Sequence, residues 1–276
     1  MAETAYQTQY RQEFIAGFEQ RQALIRQTVT TETVIQGNSA VFLVADSNDE
    51  EATTRGVNGL IPAKTDNLMQ NTATLVEWHD LRRRTRFNIF ASQGDGRRIM
   101  QMNSMGVINR KMDQDIITEL NTATQDTGAA QTGNLALVMR ALAILGNEEV
   151  PIDGNISGVI TPAMLAYLMQ TPEFASADYV NNKPFSGQPM MFRWANVNWI
   201  VHPKLPGRAT AAEKTFMYHK DAIGSAVNVG DMSMAIGYDE EQDYSWARCS
   251  VFMASKLLQN SGVVVINHDG SAYVAE

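Results

Sequence analysis

The stretch 215–267 constrains the fold most. It opens Thr-Phe-Met-Tyr-His-Lys-Asp-Ala-Ile-Gly-Ser-Ala-Val, passes an acidic turn, continues Tyr-Ser-Trp-Ala-Arg-Cys-Ser-Val-Phe-Met-Ala and ends Gly-Val-Val-Val-Ile-Asn. An apolar strand running into a charged turn, then a long return segment and a Val-rich final strand, is how the last part of a chain closes a sheet. Within it, 244–258 is ambiguous. Trp246, Cys249, Met253 and Leu257 suit a helix, whereas Trp246, Arg248, Ser250 and Phe252 suit one face of a strand.

A chain of 276 residues, 44% of them hydrophobic, has the apolar content for a sizeable core; by size scaling it buries roughly 70–75% of its unfolded surface. The single cysteine, Cys249, excludes an internal disulfide framework and a multi-cysteine zinc site, and its apolar neighbours Ala247, Val251 and Met253 mark it as packing. There is no basic start with an apolar core typical of a signal peptide, and no apolar run approaches the ~20 residues of a membrane span. A cytosolic site of synthesis is therefore expected. The formal charge of −8 argues against nonspecific nucleic-acid binding as the main task, because such binding neutralises phosphates with Lys and Arg.

At the N-terminus, Tyr10, Phe14 and Phe18 recur at helical spacing along a Gln-rich segment, which gives a polar helix with one aromatic edge. It either docks on its own domain or reaches a neighbouring subunit. From 28 to 92 the character changes: 40–45, 75–78 and 86–90 are strand-like, with a long stretch rich in Asn, Thr and Gly between them. So long a polar insertion flanked by strands reads as a hairpin projecting from a body. It carries the acidic residues Asp46, Asp49, Glu50 and Glu51, and after it comes the densest basic cluster, Arg82, Arg83, Arg84 and Arg86. That cluster is a solvated strand, an electrostatic partner for the acidic residues of another subunit, or a nucleic-acid contact. Lys64, in the insertion, is either a solvated lysine or an amine that forms an amide with a neighbour's Asn when a carboxylate accepts its proton.

From Gly106 the period becomes helical, with Ile108, Met112, Ile116 and Leu120 in one stripe. Asn134 caps a second helix bearing Leu135, Val138, Met139, Leu142 and Leu145, with Gly146 as its stop. A strand at 156–160 leads to Thr161-Pro162, an N-cap with proline at the first helical position, and a helix burying Met164, Leu165, Leu168 and Met169. Residues 190–194 and 198–201 read as a hairpin turning at Asn196, and 204–214 as a loop without apolar content.

Catalytic signatures are missing: no phosphate-binding Gly-Lys-Ser/Thr loop, nucleophile elbow, His-Glu-x-x-His helix or dinucleotide fingerprint occurs. His79, His202, His219 and His268 lie far apart, so no metal site or cofactor is expected. The one catalytic grouping to be assembled is His219 with Asp221 and the Cys249 thiol, which would serve a cytosolic hydrolase.

The order of segments resembles the major capsid proteins of tailed bacteriophages, the Hong Kong 97-type capsid fold shared with encapsulins. The resemblance rests on the polar N-terminal helix, the strand-rich insertion, the amphipathic stripe from Ile108, the strand and helix at 156–169 and the hairpin at 190–201. The Phe-Met-Tyr-His-Lys-Asp-Ala-Ile-Gly run at 216–224 and the closing Gly-Val-Val-Val-Ile at 262–266 complete it. It implies an α+β fold with an N-terminal arm (1–33), an extended loop (34–93), a peripheral domain with a long spine helix (94–150), an axial domain (151–239) and a return to the peripheral domain (240–276). It tips 244–258 toward strand. It further implies a non-enzymatic subunit self-assembling into hexamers and pentamers around double-stranded DNA. Portal and decoration proteins are the implied partners, and scaffolding, where used, is expected to be a separate protein because the chain starts directly with the arm. An encapsulin-type compartment is the alternative. The implied intersubunit contacts are Tyr10, Phe14, Phe18, Asp46, Asp49, Glu50, Glu51, Lys64, Arg82, Arg83, Arg84 and Arg86, and His219 becomes a structural residue.

Overall fold

The computed structural model describes residues 22–32, 37–46, 51–65, 67–85, 96–172 and 191–273. The expected N-terminal helix and the expected strand at 86–90 lie outside the described residues. The elements in chain order are β1 (Thr30–Glu32), β2 (Ser39–Asp46), β3 (Asn67–Thr74), β4 (Val76–Thr85), α1 (Gly96–Leu120), β5 (Gln131–Thr132), α2 (Leu135–Asn147) and β6 (Ile156–Ile160). There follow α3 (Pro162–Met169), β7 (Met191–Trp194), β8 (Val197–Val201), β9 (Glu213–His219), β10 (Ile223–Asp239), β11 (Tyr244–Leu257) and β12 (Val263–Asp269). They form a six-stranded sheet ordered β5-β12-β9-β6-β8-β7, a four-stranded sheet ordered β1-β10-β11-β4, and the hairpin β2-β3.

The six-stranded sheet is covered on both faces. Val159, Ile200, Phe216, Tyr218, Val263 and Val265 face one core with Ile116, Ile117 and Leu120 of α1. Their strand neighbours Ile156, Ile160, Trp199, Met217, Val264 and Ile266 face another core with Leu137, Val138 and Leu145 of α2 and Met164 and Leu168 of α3. Two-sided burial is why these strands read as continuous apolar runs rather than alternating ones. Gly158 lets the sheet take its largest side chain: a Cβ there would sit 2.5 Å from the Trp199 ring, and these two residues are register partners on β6 and β8.

The capping signals are read out as expected. Asn134 Oδ1 accepts the Leu137 amide at 2.9 Å, and Thr161 Oγ1 accepts the Met164 amide at 3.1 Å with Pro162 directly after it. The stop of α2 is different. Gly146 lies inside the helix, and Glu149 takes the left-handed position with φ 59°, its amide donating to the Gly146 carbonyl while the Val150 amide donates to that of Leu145. This is the paired closing bond of a Schellman end with glutamate where glycine is usual. The packed stripe of α2 is also shifted: Leu137, Val138, Ala141 and Leu145 are buried, and Met139 is exposed.

Helix α1 starts at Gly96 rather than near Gly106, so at 1.5 Å per residue it is ~37 Å long. The stripe Ile108, Met112, Ile116 and Leu120 is buried as expected. Loop 204–214 is not free of core contacts, because Leu205 is buried beside β9.

The ambiguous segment is strand β11. Ser245, Ala247, Cys249, Val251 and Met253 are buried, and Cys249, Val251 and Met253 pack with Ile108 and Met112 of α1. Trp246, Arg248 and Phe252 take the other face. Residues 240–276 divide between the sheets: β11 pairs with β10 and β4, whereas β12 pairs with β9 and β5.

One buried polar pair sits between β9 and β12. His268 and Glu213 are register partners with Nε2 and Oε2 3.8 Å apart, and Nε2 lies 3.2 Å from Thr161 Oγ1. Burial holds the His268 imidazole below its ordinary range, against the opposing pull of Glu213. An unfolded histidine titrates near ~6.5, so in acid the unfolded chain takes up a proton that the folded site resists. This contribution is full above about pH 6.5 and is lost as pH falls through the lower folded value. Going from about pH 7.5 to about pH 5 should lower the thermal unfolding midpoint more in the parent than in His268→Gln. Equal drops in calorimetry would remove His268 as a cause.

Candidate assembly interface

Two strands alone are marginal in water, so the hairpin β2-β3 depends on its base. Its contacts there include two that fix its placement. Phe42 lies over Gly224 of β10, where a Cβ would come within 2.8 Å of the ring, and Asn71 Nδ2 donates to the Leu258 carbonyl at 3.3 Å. Beyond these anchors the hairpin turns its apolar residues outward: Leu43 is 78% exposed and Leu68 74%.

The segment 51–65 that closes the hairpin is exposed along its length. Its tip is a compact turn in which the Gly59 amide donates to the Gly56 carbonyl at 2.8 Å and the Gly56 amide to the Leu60 carbonyl at 3.0 Å. Gly59 supplies the positive φ of 72° that the turn needs. The turn presents Val57, Leu60 and Ile61 to solvent. Apolar side chains gathered on a projecting element mark a contact surface. Sequence reading passed over these three, although apolar residues beside Asn58-Gly59 and before Pro62 were a usable signal for an apolar turn.

Strand β4 forms one edge of the four-stranded sheet, and an unpaired edge is open to another chain. It carries Arg82, Arg83 and Arg84. Arg82 Nε meets Asp80 Oδ2 at 3.0 Å, the Arg83 guanidinium lies 5.0 Å from the Tyr244 ring centre, and Arg84 is register partner of Ser245. The Arg82 and Arg83 side chains therefore engage β4 and β11 in the subunit itself. Asp46 ends β2, and the Lys64 ammonium donates to the Glu51 carbonyl across the base of the loop. Tyr10, Phe14, Phe18, Asp49, Glu50 and Arg86 lie outside the described residues.

His219 is engaged on both nitrogens. Nδ1 accepts the Asp221 amide at 3.3 Å and Nε2 faces Asp153 Oδ1 at 3.3 Å. Asp153 is held below the usual carboxylate range, first by the Asn155 backbone and side-chain hydrogen bonds and more weakly by His219. The ring borders a cleft of about 190 Å³ with Glu148, Glu149, Asp221 and Gln259. Cys249 belongs to a different core, under the four-stranded sheet, where burial and then Asp80 push its thiol up. A buried, protonated thiol is a poor nucleophile. The grouping His219, Asp221, Cys249 is not assembled.

A two-sided mixed sheet, a long helix crossing to a second sheet of long strands, and an anchored projecting hairpin define the Hong Kong 97-type capsid fold of tailed phages. A family model described as phage capsid protein matches residues 2–270, and the chain belongs to that family, whose role is structural. Solved structures share the fold at low identity. One from Mycobacterium phage Che8 is 15% identical with a TM-score of 0.77, covering 96% of this chain and 98% of its own. The capsid of Ralstonia phage GP4 is 10% identical with a TM-score of 0.71, covering 99% and 98%. The capsid of a native GTA particle is 14% identical with a TM-score of 0.72, covering 97% and 96%. Comparison with curated proteins finds no match.

The Phe42 seat yields a direct test. Gly224→Ala places a methyl where the ring sits and should cost about 1–3 kcal/mol by overpacking. Hydrogen exchange should speed up across β2 and β3 and stay unchanged in β9. Unchanged protection of the hairpin would mean that Phe42 does not anchor it.

Proposed function

We propose that this chain is a major capsid protein that self-assembles into the hexamers and pentamers of an icosahedral shell around double-stranded DNA, and that it assembles in the host cytoplasm. Family membership supports the shell. The observation that carries the assembly reading is the hairpin: anchored at its base, apolar at its tip, and without a core of its own to bury Leu43, Leu60, Ile61 and Leu68. A subunit whose contacts repeat around a closed symmetric shell buries such elements against neighbours, and many modest contacts add up through effective concentration.

In this reading residues 1–33 are the arm, 34–93 the extended loop, 94–150 the peripheral part with α1 as its spine, and 151–239 the axial part. From 240 the chain returns to the peripheral part through β11, while β12 is grouped with the axial strands because it pairs with β9. Arg82, Arg83, Arg84 and Arg86 then meet acidic residues of a neighbour such as Asp46, Asp49, Glu50 and Glu51, and Tyr10, Phe14 and Phe18 line the arm's contact edge. Separate scaffolding, portal and decoration proteins would be its partners.

Shortening the loop between 46 and 70 should leave a soluble, folded subunit and abolish shells in negative-stain microscopy. Shells of normal size and yield from the shortened chain would sink the assignment of this hairpin as the intersubunit loop.

A further inference from the structure

Asp113 joins three parts of the molecule at one carboxylate. It lies on α1 and is fully buried, where an ionised carboxylate needs donors in place of water. Backbone amides supply two of them: Leu24 N–H donates to Oδ2 at 3.0 Å and Ile25 N–H to Oδ1 at 3.2 Å. The third neighbour is His202, 3% exposed, in the loop after β8, with Nε2 3.5 Å from Oδ2. The Lys204 amide donates to His202 Nδ1 at 3.2 Å. With Nδ1 so occupied, Nε2 is the ring nitrogen that faces Asp113, within ion-pair range of Oδ2 but without a hydrogen bond to it.

Leu24 and Ile25 follow Ala23, which packs against the core of Ile108 and Met112, near the start of the described residues. Their side chains enter the core shared by Ile116 and Leu120 of α1 and Phe216 and Tyr218 of β9. Thr28 Oγ1 then meets the Tyr218 hydroxyl at 2.5 Å, and β1 runs parallel to β10 from Thr30 opposite Gly224. The described chain from Leu24 to Thr30 is therefore tied to α1 through Asp113 and to β9 and β10 beyond it.

We propose that Asp113 is the positioning residue for the N-terminal segment, and that His202 couples its grip to the placement of the six-stranded sheet against α1. Any shift of that sheet along α1 moves His202 relative to Oδ2 and changes the hold on Leu24 and Ile25. The root of the arm and the spine–sheet arrangement then change together. The use of this coupling in assembly rests on the capsid reading above; the coupling itself is a property of the single subunit.

Hydrogen exchange on the unassembled full chain tests it. Asp113→Asn replaces one acceptor oxygen by a donor, and exchange at Leu24 and Ile25 should accelerate about tenfold or more, as for a lost hydrogen bond to a charged group. His202→Phe should accelerate the same two amides, whose acceptor is Asp113 and not His202, and the double variant should add little beyond Asp113→Asn. Protection of β9 amides reports whether the body stays folded. Should Asp113→Asn unfold the body, Asp113→Glu keeps the charge on a longer stem and should still loosen the two amides. Parent-like exchange in the Asp113 variants overturns the positioning role. Parent-like exchange in His202→Phe overturns the coupling. A shell yield unaffected by loosened amides would count against the arm's part in assembly and leave the coupling standing.

Discussion

Burial of both faces of the six-stranded sheet is the constraint on which the other elements depend. Phe216 and Met217, adjacent on β9, serve two different cores, so the sheet is stable only while α1 and the arm root hold one side and α2 and α3 the other. A fully buried side chain of this size contributes about 1.5–3 kcal/mol relative to exposure. Removing either cover would expose a whole row of such residues. Polar contacts fix the covering helices themselves, within the helix at α2 and α3 and against the second sheet at α1. Asn134 and Thr161 cap α2 and α3, and Glu119 Oε2 on α1 accepts the Leu257 amide at 3.2 Å.

The second sheet and the hairpin follow a different physical rule. β10 and β11 are long, paired along most of their length and backed by α1 on the face of Cys249 and Val251. Lys111 also reaches across from α1, its ammonium 3.9 Å from the Trp78 ring centre. The hairpin has no such backing. It is packed at its base, where Ala40 and Ala73 are buried, Phe42 lies over Gly224 and Asn71 bonds the Leu258 carbonyl, and it leaves apolar residues in water beyond. An element of this kind costs stability in an isolated subunit and gains it against a neighbour, which fits a protein of the phage capsid family.

Local chemistry made much of this readable. Thr161-Pro162 and Asn134 announce helix starts because a side-chain oxygen and a fixed φ act within a few residues. The Ile108 to Leu120 stripe and the apolar runs of β6, β9 and β12 reflect burial on one face or on both. The start of α1 was not readable, since 96–105 shows no regular apolar period and Gly106 interrupts the pattern. The end of α2 misled because glycine usually takes the left-handed position, and here Glu149 takes it with Val150 closing the bond to Leu145. At the hairpin, the strands and the long insertion between them were legible and its apolar tip had a signal beside Asn58-Gly59, whereas the Phe42 seat on Gly224 had none.

The amino-acid sequence by itself determined the class: strand and helix order, the capped helices, the projecting insertion and the absence of a catalytic signature, because each depends on spacing over a few residues. Local periodicity could not decide 244–257; the strand that the resemblance implied is the observed one, and Ile108 and Met112 packing on one side of it separates the two periods. Tertiary structure alone decided that β12 leaves β11 for the other sheet. Asp113 shows the same division: an acid on an amphipathic helix is ordinarily solvated, and only the arrival of Leu24, Ile25 and His202 from distant parts of the chain makes it a buried junction.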